Sequence, residues 1–419
     1  MFRFLLLPFA LVLTLATGSG LAQTASPLAS SVWSGNVTSS SASVVVRLAT
    51  AGQRVRLVIS PNSSLAPAIA SAIATTAAAS GNTLTLTAQG LQPDTDYFYG
   101  IEVGGVLRDE SNSRGRLRTF PQGRASFKIA FASCSDYRKA DQSAFDAILA
   151  EHPLLFIHMG DLHYNDTDSV NPDDYRANYD LVLNHPNQSA LYRGVPLAYM
   201  WDDHDFCGND SNTTAIGRDT ARAVYRERTP HYPIAAVGGP VAQAFTVGRV
   251  RVILTDLRSA AALPGLKESA AKSRMGAAQK AWFKQELIAA RDAGFPLTLW
   301  VSTMPWIAAA ALGDDSWAGY ATERVELANF IRDNHVSNVV VLSGDMHGLA
   351  FDDGTHSDYA SGGGAPLTVL HAASLTQPGD PKGGPYTSGP FMGSQQYGIR
   401  NCSGRKKLNP VARERSMAV

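Results

Sequence analysis

Two patterns of hydrophobic and polar positions divide the chain. Residues 31–120 alternate short β-rich runs with turns made of Ser, Gly, Asn and Pro, which predicts a small β-sandwich. The clearest runs are 43–48, 55–59, 83–87 and 97–103. Between them, residues 66–79 are rich in Ala and Thr, and we expect a loop or a short helix there.

From Phe127 onward, apolar runs of strand length alternate with segments of helical period. This alternation predicts a layered α/β domain over residues 125–399. The predicted strands are 127–132, 154–159, 195–200, 250–254, 297–302 and 339–342. The predicted helices are 141–151, 172–183, 217–228, 277–292 and 320–334. Gln279, Trp282, Phe283 and Leu287 share one face of the fourth helix, which we expect to pack inward.

The first 22 residues have the pattern of a secretory signal. Arg3 is followed by an apolar stretch over 4–16 and then by small residues, which predicts cleavage after Ala22. A transmembrane anchor is the alternative, but the apolar run is too short to span a bilayer without strain. We therefore expect a secreted or periplasmic protein with no transmembrane anchor.

Composition and charge narrow the classes of function. The chain has 419 residues, 45% of them hydrophobic, and its 36 Lys and Arg balance 36 Asp and Glu. This excludes a mostly disordered protein and argues against a nucleic-acid scaffold. Residues 400–419 are basic and predict a solvated tail, with binding to a membrane or a polyanion as the alternative. We expect a monomer.

Four of the predicted strands end in polar sequences that carry possible metal ligands. In an open α/β sheet such strand ends line one crevice, so side chains distant in sequence meet there. Each segment alone would suit the cap of a following helix, but four together indicate a metal cluster. The segments are Ala132-Ser-Cys134-Ser-Asp136, Gly160-Asp161-Leu-His163-Tyr164, Trp201-Asp202-Asp203-His204-Asp205 and Ser343-Gly344-Asp345-Met-His347.

The ligand types predict two different cations. Cys134, Tyr164 and Asp161 supply three negative charges beside the imidazole of His347, which favours Fe³⁺, with zinc as the alternative. The other donors are oxygens only, which suits Ca²⁺. They come from Asp203, Asn209, Asp345 and the second oxygen of Asp161.

Asp161 would then bridge the two ions. Two cations about 3.5–4 Å apart can share a hydroxide and clamp a phosphoryl group during in-line attack, so no serine nucleophile is required.

The cysteine count bears on the same assignment. Cys134, Cys207 and Cys402 form at most one disulfide within the chain, so at least one thiol stays unpaired in an oxidising compartment. A buried inert thiol is the alternative for Cys134, but its polar neighbours favour a ligand.

Taken together, these motifs resemble the alkaline phosphatase D (PhoD-like) family of calcineurin-like metallophosphoesterases over residues 32–399. Thr255-Asp256-Leu-Arg258 and the segment from Met275 to Phe283 add to the match. The resemblance implies a β-sandwich ahead of a four-layer αββα catalytic domain. Residues 91–99 also resemble the turn-into-strand signature of fibronectin type III domains. The resemblance further implies hydrolysis of phosphate monoesters or diesters at alkaline pH with ferric iron and calcium.

The resemblance also implies roles for individual residues. The implied iron ligands are Cys134, Asp161, Tyr164 and His347, and the implied calcium positions are Asp161, Asp203, Asn209 and Asp345. His204 would hydrogen-bond a phosphoryl oxygen or protonate the departing alkoxide, or else only order the carboxylates beside it. Arg258 and Arg138 are candidate phosphate-binding residues, with an ion pair as the alternative for each.

Two features depart from the family pattern. Arg3 lacks the twin arginine of the folded-export route, and the segment after Ile399 does not look like the usual closing strand. The sequence does not decide whether Cys207 and Cys402 form a disulfide.

Two other functions compete with an exported phosphatase or phosphodiesterase acting on a small phosphate ester. One is a phospholipase D-type phosphodiesterase acting on a lipid head group. The other is a non-catalytic extracellular binding protein, for which the four polar strand ends would have no use. Residues 165–171 and 379–389 are loops that we expect to shape the leaving-group pocket.

Overall fold

The computed structural model describes residues 26–236, 238–379 and 382–404. The predicted signal peptide and residues 405–419 of the predicted tail lie outside these ranges. No helix in the described part of the chain is long and apolar enough to cross a bilayer.

The strands match the predicted runs closely and add several that the pattern missed. In chain order they are β1 (Trp33–Gly35), β2 (Ser41–Arg47), β3 (Arg54–Ser60), β4 (Ile69–Ala70), β5 (Ala74–Thr75), β6 (Thr83–Gln89), β7 (Asp96–Val103), β8 (Val106–Leu107), β9 (Arg114–Arg118), β10 (Phe127–Ala132), β11 (Leu155–Met159), β12 (Leu197–Met200), β13 (Gln243–Val247), β14 (Val250–Leu254), β15 (Leu297–Ser302), β16 (Val339–Ser343), β17 (Gly348–Asp352), β18 (Thr368–Ala372), β19 (Ser388–Met392) and β20 (Gly398–Cys402).

The helices follow the predicted periodicity. They are α1 (Ser143–Ala150), α2 (Pro172–Asn184), α3 (Pro186–Gly194), α4 (Asp203–Phe206), α5 (Arg218–Arg228), α6 (Ala277–Asp292) and α7 (Ala321–Asp333). On α6, Gln279, Phe283 and Leu287 are buried and Trp282 is half-buried, as its pattern predicts. Three short 3-10 helices cover Ala78–Ser80, Ser111–Ser113 and Trp317–Tyr320.

Two seven-stranded sheets carry most of the fold. Sheet A has the order β20-β10-β11-β12-β1-β2-β6, and sheet B has the order β13-β14-β15-β16-β18-β17-β19. In sheet A, β10, β11 and β12 run parallel, and in sheet B the run β14-β15-β16-β18 is parallel. A functional site is therefore expected at the carboxyl ends of these parallel strands.

The N-terminal strands are divided between two sheets. Strand β1 pairs parallel to β12 through Gly35 and Leu197, so β1, β2 and β6 extend sheet A. The remaining N-terminal strands form sheet C, in the order β4-β3-β7-β8 with β5 and β9 attached. Near residue 120 the chain passes from β9 of sheet C to β10 of sheet A.

The turn before β7 has the predicted corner. Leu91 and Tyr97 are buried, and the Tyr97 hydroxyl accepts a 2.9 Å hydrogen bond from the backbone N–H of Gln92. A tyrosine that bonds back to the preceding turn in this way fixes the entry of the chain into its strand.

Two expectations about local structure need correction. Within residues 66–79 the chain forms β4 and β5, which pair with β3, and a 3-10 helix. Residues 400–402 do not belong to a solvated tail, because β20 pairs antiparallel to β10 from Gly398 to Cys402 and closes sheet A. The sequence pattern did not predict helix α3, which follows α2 almost directly and has Pro186 as its first residue.

Buried side chains of both large sheets share one core. Ile129 and Ile157 of sheet A belong to the same cluster as Val252 and Leu299 of sheet B. A second cluster joins α6 and α7 to sheet B around Trp300, Trp306 and Trp317. Both sheets are therefore held in place by packing as well as by strand pairing.

All three cysteines are buried and unpaired. Cys207 lies 3.4 Å from the hydroxyl of Tyr175, whereas Cys402 lies at the end of β20 opposite Phe127. The Cys207–Cys402 disulfide left open by the sequence is absent from the described residues.

Candidate metal centre

The four polar strand ends meet at one place. Three follow β10, β11 and β12 in sheet A, and the fourth follows β16 in sheet B. Parallel strands point their carboxyl ends to the same edge, so the sheets bring together residues as far apart in sequence as Cys134 and His347.

Tight backbone packing sets the position of these strand ends. A Cβ on Gly160 would lie 2.4 Å from Cβ of Asp202, and one on Gly344 would lie 2.7 Å from the carbonyl oxygen of Thr303. Only glycine allows these approaches. At both glycines, the backbone that follows one strand therefore packs directly against the residue that follows a neighbouring strand.

Four candidate ligands adopt left-handed backbone conformations. The φ angles are 60° for Cys134, 55° for Asp161, 69° for Asp345 and 55° for His347. Non-glycine residues rarely adopt positive φ, and such strain concentrates at functional sites. The strained residues lie at the ends of three different strands, and all face the same cluster.

The first group of ligands is in direct contact. Oδ2 of Asp161 lies 3.4 Å from Sγ of Cys134 and accepts a 2.9 Å hydrogen bond from the hydroxyl of Tyr164. That hydroxyl also lies 3.0 Å from Nε2 of His347. Ligand atoms of Cys134, Asp161 and His347 all fall within 4.8 Å of one another, as one bound ion requires.

The second group is acidic and shares Asp161 with the first. Ligand atoms of Asp161, Asp202, Asp203 and Asp345 lie within 4.8 Å of one another, and all four residues are buried. Nζ of Lys382 lies 2.6 Å from Oδ1 of Asp345 and supplies a positive charge at the edge of the group.

The shared carboxylate has an unused oxygen. Oδ1 of Asp161 is buried and has no hydrogen-bond partner within the ranges that the structure describes. Burial raises the pKa of Asp161 well above its ordinary value, and the charges of Asp203 and Asp202 add to the effect. A bound cation would satisfy that oxygen and neutralise the carboxylates, so these residues fit a metal pair.

The Cys134 thiol and the Tyr164 phenol are held in their neutral forms. Burial is the main cause that raises the pKa of both the Cys134 thiol and the Tyr164 phenol, and nearby Asp161 adds to it. A thiolate or phenolate here therefore needs a cation for compensation.

Arg258 lies beneath the cluster and is fully buried. Its Nε and Nη2 donate to Asp202 at 2.6 and 3.0 Å, and Nη1 donates to Asp315. Burial alone would raise the pKa of Asp203, but the charge of Arg258 lowers it below its ordinary value.

This geometry corrects the prediction that Arg258 binds substrate phosphate. Every guanidinium nitrogen already donates to a carboxylate, and the side chain does not reach the surface. Arg258 instead positions Asp202, whose Oδ1 also accepts a 2.9 Å hydrogen bond from Thr303.

Replacing Arg258 by lysine should destabilise the protein by about 2 kcal/mol, because a single ammonium leaves buried carboxylate oxygens unpaired. The free energy of urea unfolding measures this loss. Arg251→Lys is the matched control, since its pair with Glu286 is partly exposed and should lose much less. Equal losses in the two variants would contradict the buried role of Arg258.

His204 lies beside the cluster in a defined orientation. Its Nδ1 is 2.5 Å from Oδ1 of Asp166, and its ring centroid is 4.1 Å from that of Tyr164. One ligand atom of His204 lies within 4.8 Å of ligand atoms of Asp161 and Asp203. The imidazole therefore stands against the groups proposed to hold the metals.

Two of the predicted site residues lie at the exposed rim of the ligand cluster. Arg138 donates to Asp136 through Nε at 2.8 Å and to the carbonyl oxygen of Tyr164 through Nη2 at 3.0 Å, and half of its side chain is exposed. Asn209 is exposed in the loop after α4. A phosphate role for Arg138 and a ligand role for Asn209 stay predictions.

Sequence reasoning missed the partners of the site. Asp166, Asp315 and Lys382 each contact a predicted site residue, yet none belongs to a strand-end motif. Their position in the sequence could have indicated a role at the site, because Asp166 and Lys382 lie in residues 165–171 and 379–389, the two loops expected to shape the leaving-group pocket.

Comparison with known proteins gives a consistent picture. The family model described as PhoD-like phosphatase matches residues 129–388, and that of the PhoD-like phosphatase N-terminal domain matches residues 15–121. Alkaline phosphatase D of Bacillus subtilis (strain 168) is 26% identical over 320 residues, which cover 65% of this chain and 54% of that protein. The chain thus spans about half the length of this curated relative.

Solved structures support the fold. The structure described as PhoD superposes with a TM-score of 0.73 at 19% identity and covers 91% of both chains. The purple acid phosphatase PPD1 from yellow lupin seeds gives a TM-score of 0.58 at 11% identity, over 90% of this chain and 70% of that one. The chain therefore has a metallophosphoesterase-like fold with mixed sheets and a β-rich N-terminal region.

Proposed function

The chain belongs to the PhoD-like phosphatase family, and we propose that it is an exported metal-dependent hydrolase of phosphoric esters. The observation that carries this proposal is the convergence of two ligand groups on the carboxylate of Asp161. A non-catalytic binding protein would have no need to bury so many like charges at one point.

We propose Fe³⁺ in the group of Cys134, Asp161, Tyr164 and His347. The donor set carries up to three negative charges and includes a phenol, which suits a trivalent ion better than zinc. The contacts among Tyr164, Asp161 and His347 support this assignment.

We propose Ca²⁺ in the oxygen-rich group of Asp161, Asp203, Asn209 and Asp345. Carboxylate and amide oxygens are the ligands that calcium prefers. When bound, two such cations supply electrostatic stabilisation of a phosphoryl group and activation of the attacking water.

The protein's own residues would then bind and orient the ester. His204, held by Asp166, has its ring at the rim of the cluster, where Nε2 can donate a hydrogen bond to the substrate or a proton to the leaving oxygen. Arg138 has its exposed guanidinium at the same rim, where it can bind a phosphate oxygen. Arg258 and Asp202 keep the carboxylates beneath in place.

Finer points of architecture and location belong to the same proposal. We infer the four-layer αββα arrangement from α6 and α7 packing on sheet B and from the core shared by the two large sheets. The Tyr97 corner supports a fibronectin type III-like relationship for residues 31–120. The sequence pattern of residues 1–22 supports export with cleavage after Ala22.

The most informative experiment is elemental analysis of the purified protein together with a panel of phosphate monoesters and diesters. We expect iron and calcium, hydrolysis of at least one ester class, and reversible loss of activity when calcium is chelated. The ratio of monoester to diester rates separates a phosphatase from a phospholipase D-type enzyme. A colourless, iron-free and fully active protein would refute the iron assignment.

Cys134→Ser should lower the bound iron and remove visible absorption due to thiolate coordination, because serine is a poor substitute for a thiolate. Iron content and the visible spectrum measure this. Cys207→Ser is the control, since Cys207 is buried beside Tyr175 outside the cluster, and it should keep its iron. Full iron in Cys134→Ser would remove the thiol from the ligand set.

Metal retention should fall as the pH is lowered from 8 to 5. Metal ions compete with protons for Cys134, Tyr164 and Asp161, whose pKa values are all raised, so acid favours the protonated, metal-free form. Dialysis at each pH followed by elemental analysis measures the loss. Metal content independent of pH in this range would contradict the proposed ligands.

A further inference from the structure

A small cavity lies at the opposite end of the sheets from the metal centre. Its volume is about 190 Å³, and it is lined by residues where β10, β14 and β15 begin and β20 ends. A six-residue strand such as β10 spans roughly 20 Å. A ligand in this cavity therefore cannot touch the metal centre.

Three arginines line the cavity, and its lining includes no acidic residue. They are Arg124, Arg249 and Arg400. Arg249 lies in the two-residue turn between β13 and β14, Arg400 lies on β20, and Arg124 lies in the loop before β10.

None of these arginines forms an ion pair with a residue that the structure describes. Nε of Arg400 is also buried without a hydrogen-bond partner in the described ranges. A buried, unpaired donor on a charged group is costly, and native proteins usually satisfy such groups. The lining of the cavity therefore carries three arginines and no acidic residue, although the chain as a whole has equal numbers of acidic and basic residues.

We propose that this cavity binds a phosphate-bearing anion. Guanidinium groups bind phosphate oxygens in pairs of charge-assisted hydrogen bonds, and three arginines line this cavity with no carboxylate in its lining. The volume is below the ~300–1,000 Å³ of pockets for drug-sized ligands, which favours free phosphate or a lipid head group.

The sequence that follows the cavity favours the same chemistry. Residue 404 lines the cavity, and residues 405–419 carry five Lys or Arg and one Glu. Basic segments beside a basic site strengthen attraction to anionic surfaces. The site assigned here is the cavity itself, and the contribution of the following segment is tested separately.

Two probes distinguish the sources of the anion. Equilibrium dialysis of the full chain with inorganic phosphate tests the free ion, and flotation with phosphatidylglycerol vesicles, compared with phosphatidylcholine, tests the lipid head group. The test variant is Arg249→Ala with Arg400→Ala, and Arg249→Gln alone serves if the double variant does not fold. Arg54→Ala is the matched control, because Arg54 is exposed on β3.

The double variant should bind at least one probe about tenfold or more weakly, since each lost charged hydrogen bond costs on the order of one tenfold step. Its esterase activity and melting temperature should match those of the parent and of Arg54→Ala. Weaker phosphate binding identifies a free anion as ligand, and weaker vesicle binding identifies a head group.

The Asp161→Asn variant separates this site from any phosphate bound at the metal centre, because its cavity is unchanged. Loss of all phosphate binding in Asp161→Asn, or unchanged binding of both probes in the arginine double variant, would overturn the proposal. The proposal would also be overturned if the double variant retained phosphate binding and vesicle binding disappeared only when residues 405–419 were deleted.

Discussion

Asp161→Asn should lower kcat/KM for phosphate esters by about 10³-fold or more. Asp161 is the one carboxylate shared by both ligand groups, so its loss weakens both proposed ions at once. Metal ions supply several kcal/mol of transition-state stabilisation, and each 1.36 kcal/mol corresponds to about tenfold in rate. Steady-state kinetics and elemental analysis on the same samples measure the effect.

The stability of this variant separates loss of metal from misfolding. Burial and neighbouring charges raise the pKa of Asp161, so its ionised form destabilises the metal-free fold above its unfolded pKa. The metal-free variant should therefore melt no lower than the metal-free parent. It should also lack the rise in melting temperature that added metal gives the parent.

Asp352→Asn is the matched control for a buried aspartate. Asp352 accepts hydrogen bonds from Gly354 and Thr387 and is absent from the ligand groups. This variant should lose stability while keeping its metals. Near-normal activity in Asp161→Asn with full metal content would remove Asp161 from its bridging role.

His204→Ala should lower kcat by about 10²- to 10⁴-fold if the imidazole transfers a proton to the leaving group. The geometry supports this because Asp166 holds Nδ1 at 2.5 Å and the ring packs on Tyr164, so Nε2 is left for the substrate. The loss should grow with leaving-group pKa, because a weakly basic phenolate departs without a proton and an alkoxide does not.

A series of aryl and alkyl phosphate esters tests that dependence. A loss of equal size for all esters would indicate a hydrogen bond to a phosphoryl oxygen instead, and unchanged turnover of alkyl esters would exclude His204 from the reaction. His356→Ala is the control, since Nδ1 of His356 lies 2.7 Å from Asp352 in a similar pair outside the ligand groups. Asp166→Asn should give a smaller loss, because it alters only the orientation of His204.

Much of the secondary structure was predictable because its signal is local. The bounds of β10, β14, β15 and α6 agree with the sequence pattern to the residue. A strand or helix with one buried face must repeat its apolar residues with a fixed period, and this period can be read without knowing the partner.

The closing strand β20 is an element that the local sequence pattern did not predict. Residues 398–402 have no strong strand pattern and are mostly half-buried, yet they pair with β10 from Phe127 to Phe131. Backbone hydrogen bonds hold this pairing, and these do not depend on side-chain identity. The pairing of β1 with β12 was equally hidden from the local sequence pattern, because it joins Gly35 to Leu197, two residues 162 positions apart.

By itself, the sequence determined six strands and five helices of residues 125–399, the four polar strand ends and the ligand chemistry that they imply. Side-chain type decides which ions can be held, and each motif is contiguous in the chain. Only the tertiary structure decided that Arg258 is sealed beneath the cluster and that Asp166 and Lys382 reach it from loops. Burial and charge pairing depend on which distant segments pack together, and that information lies in the fold.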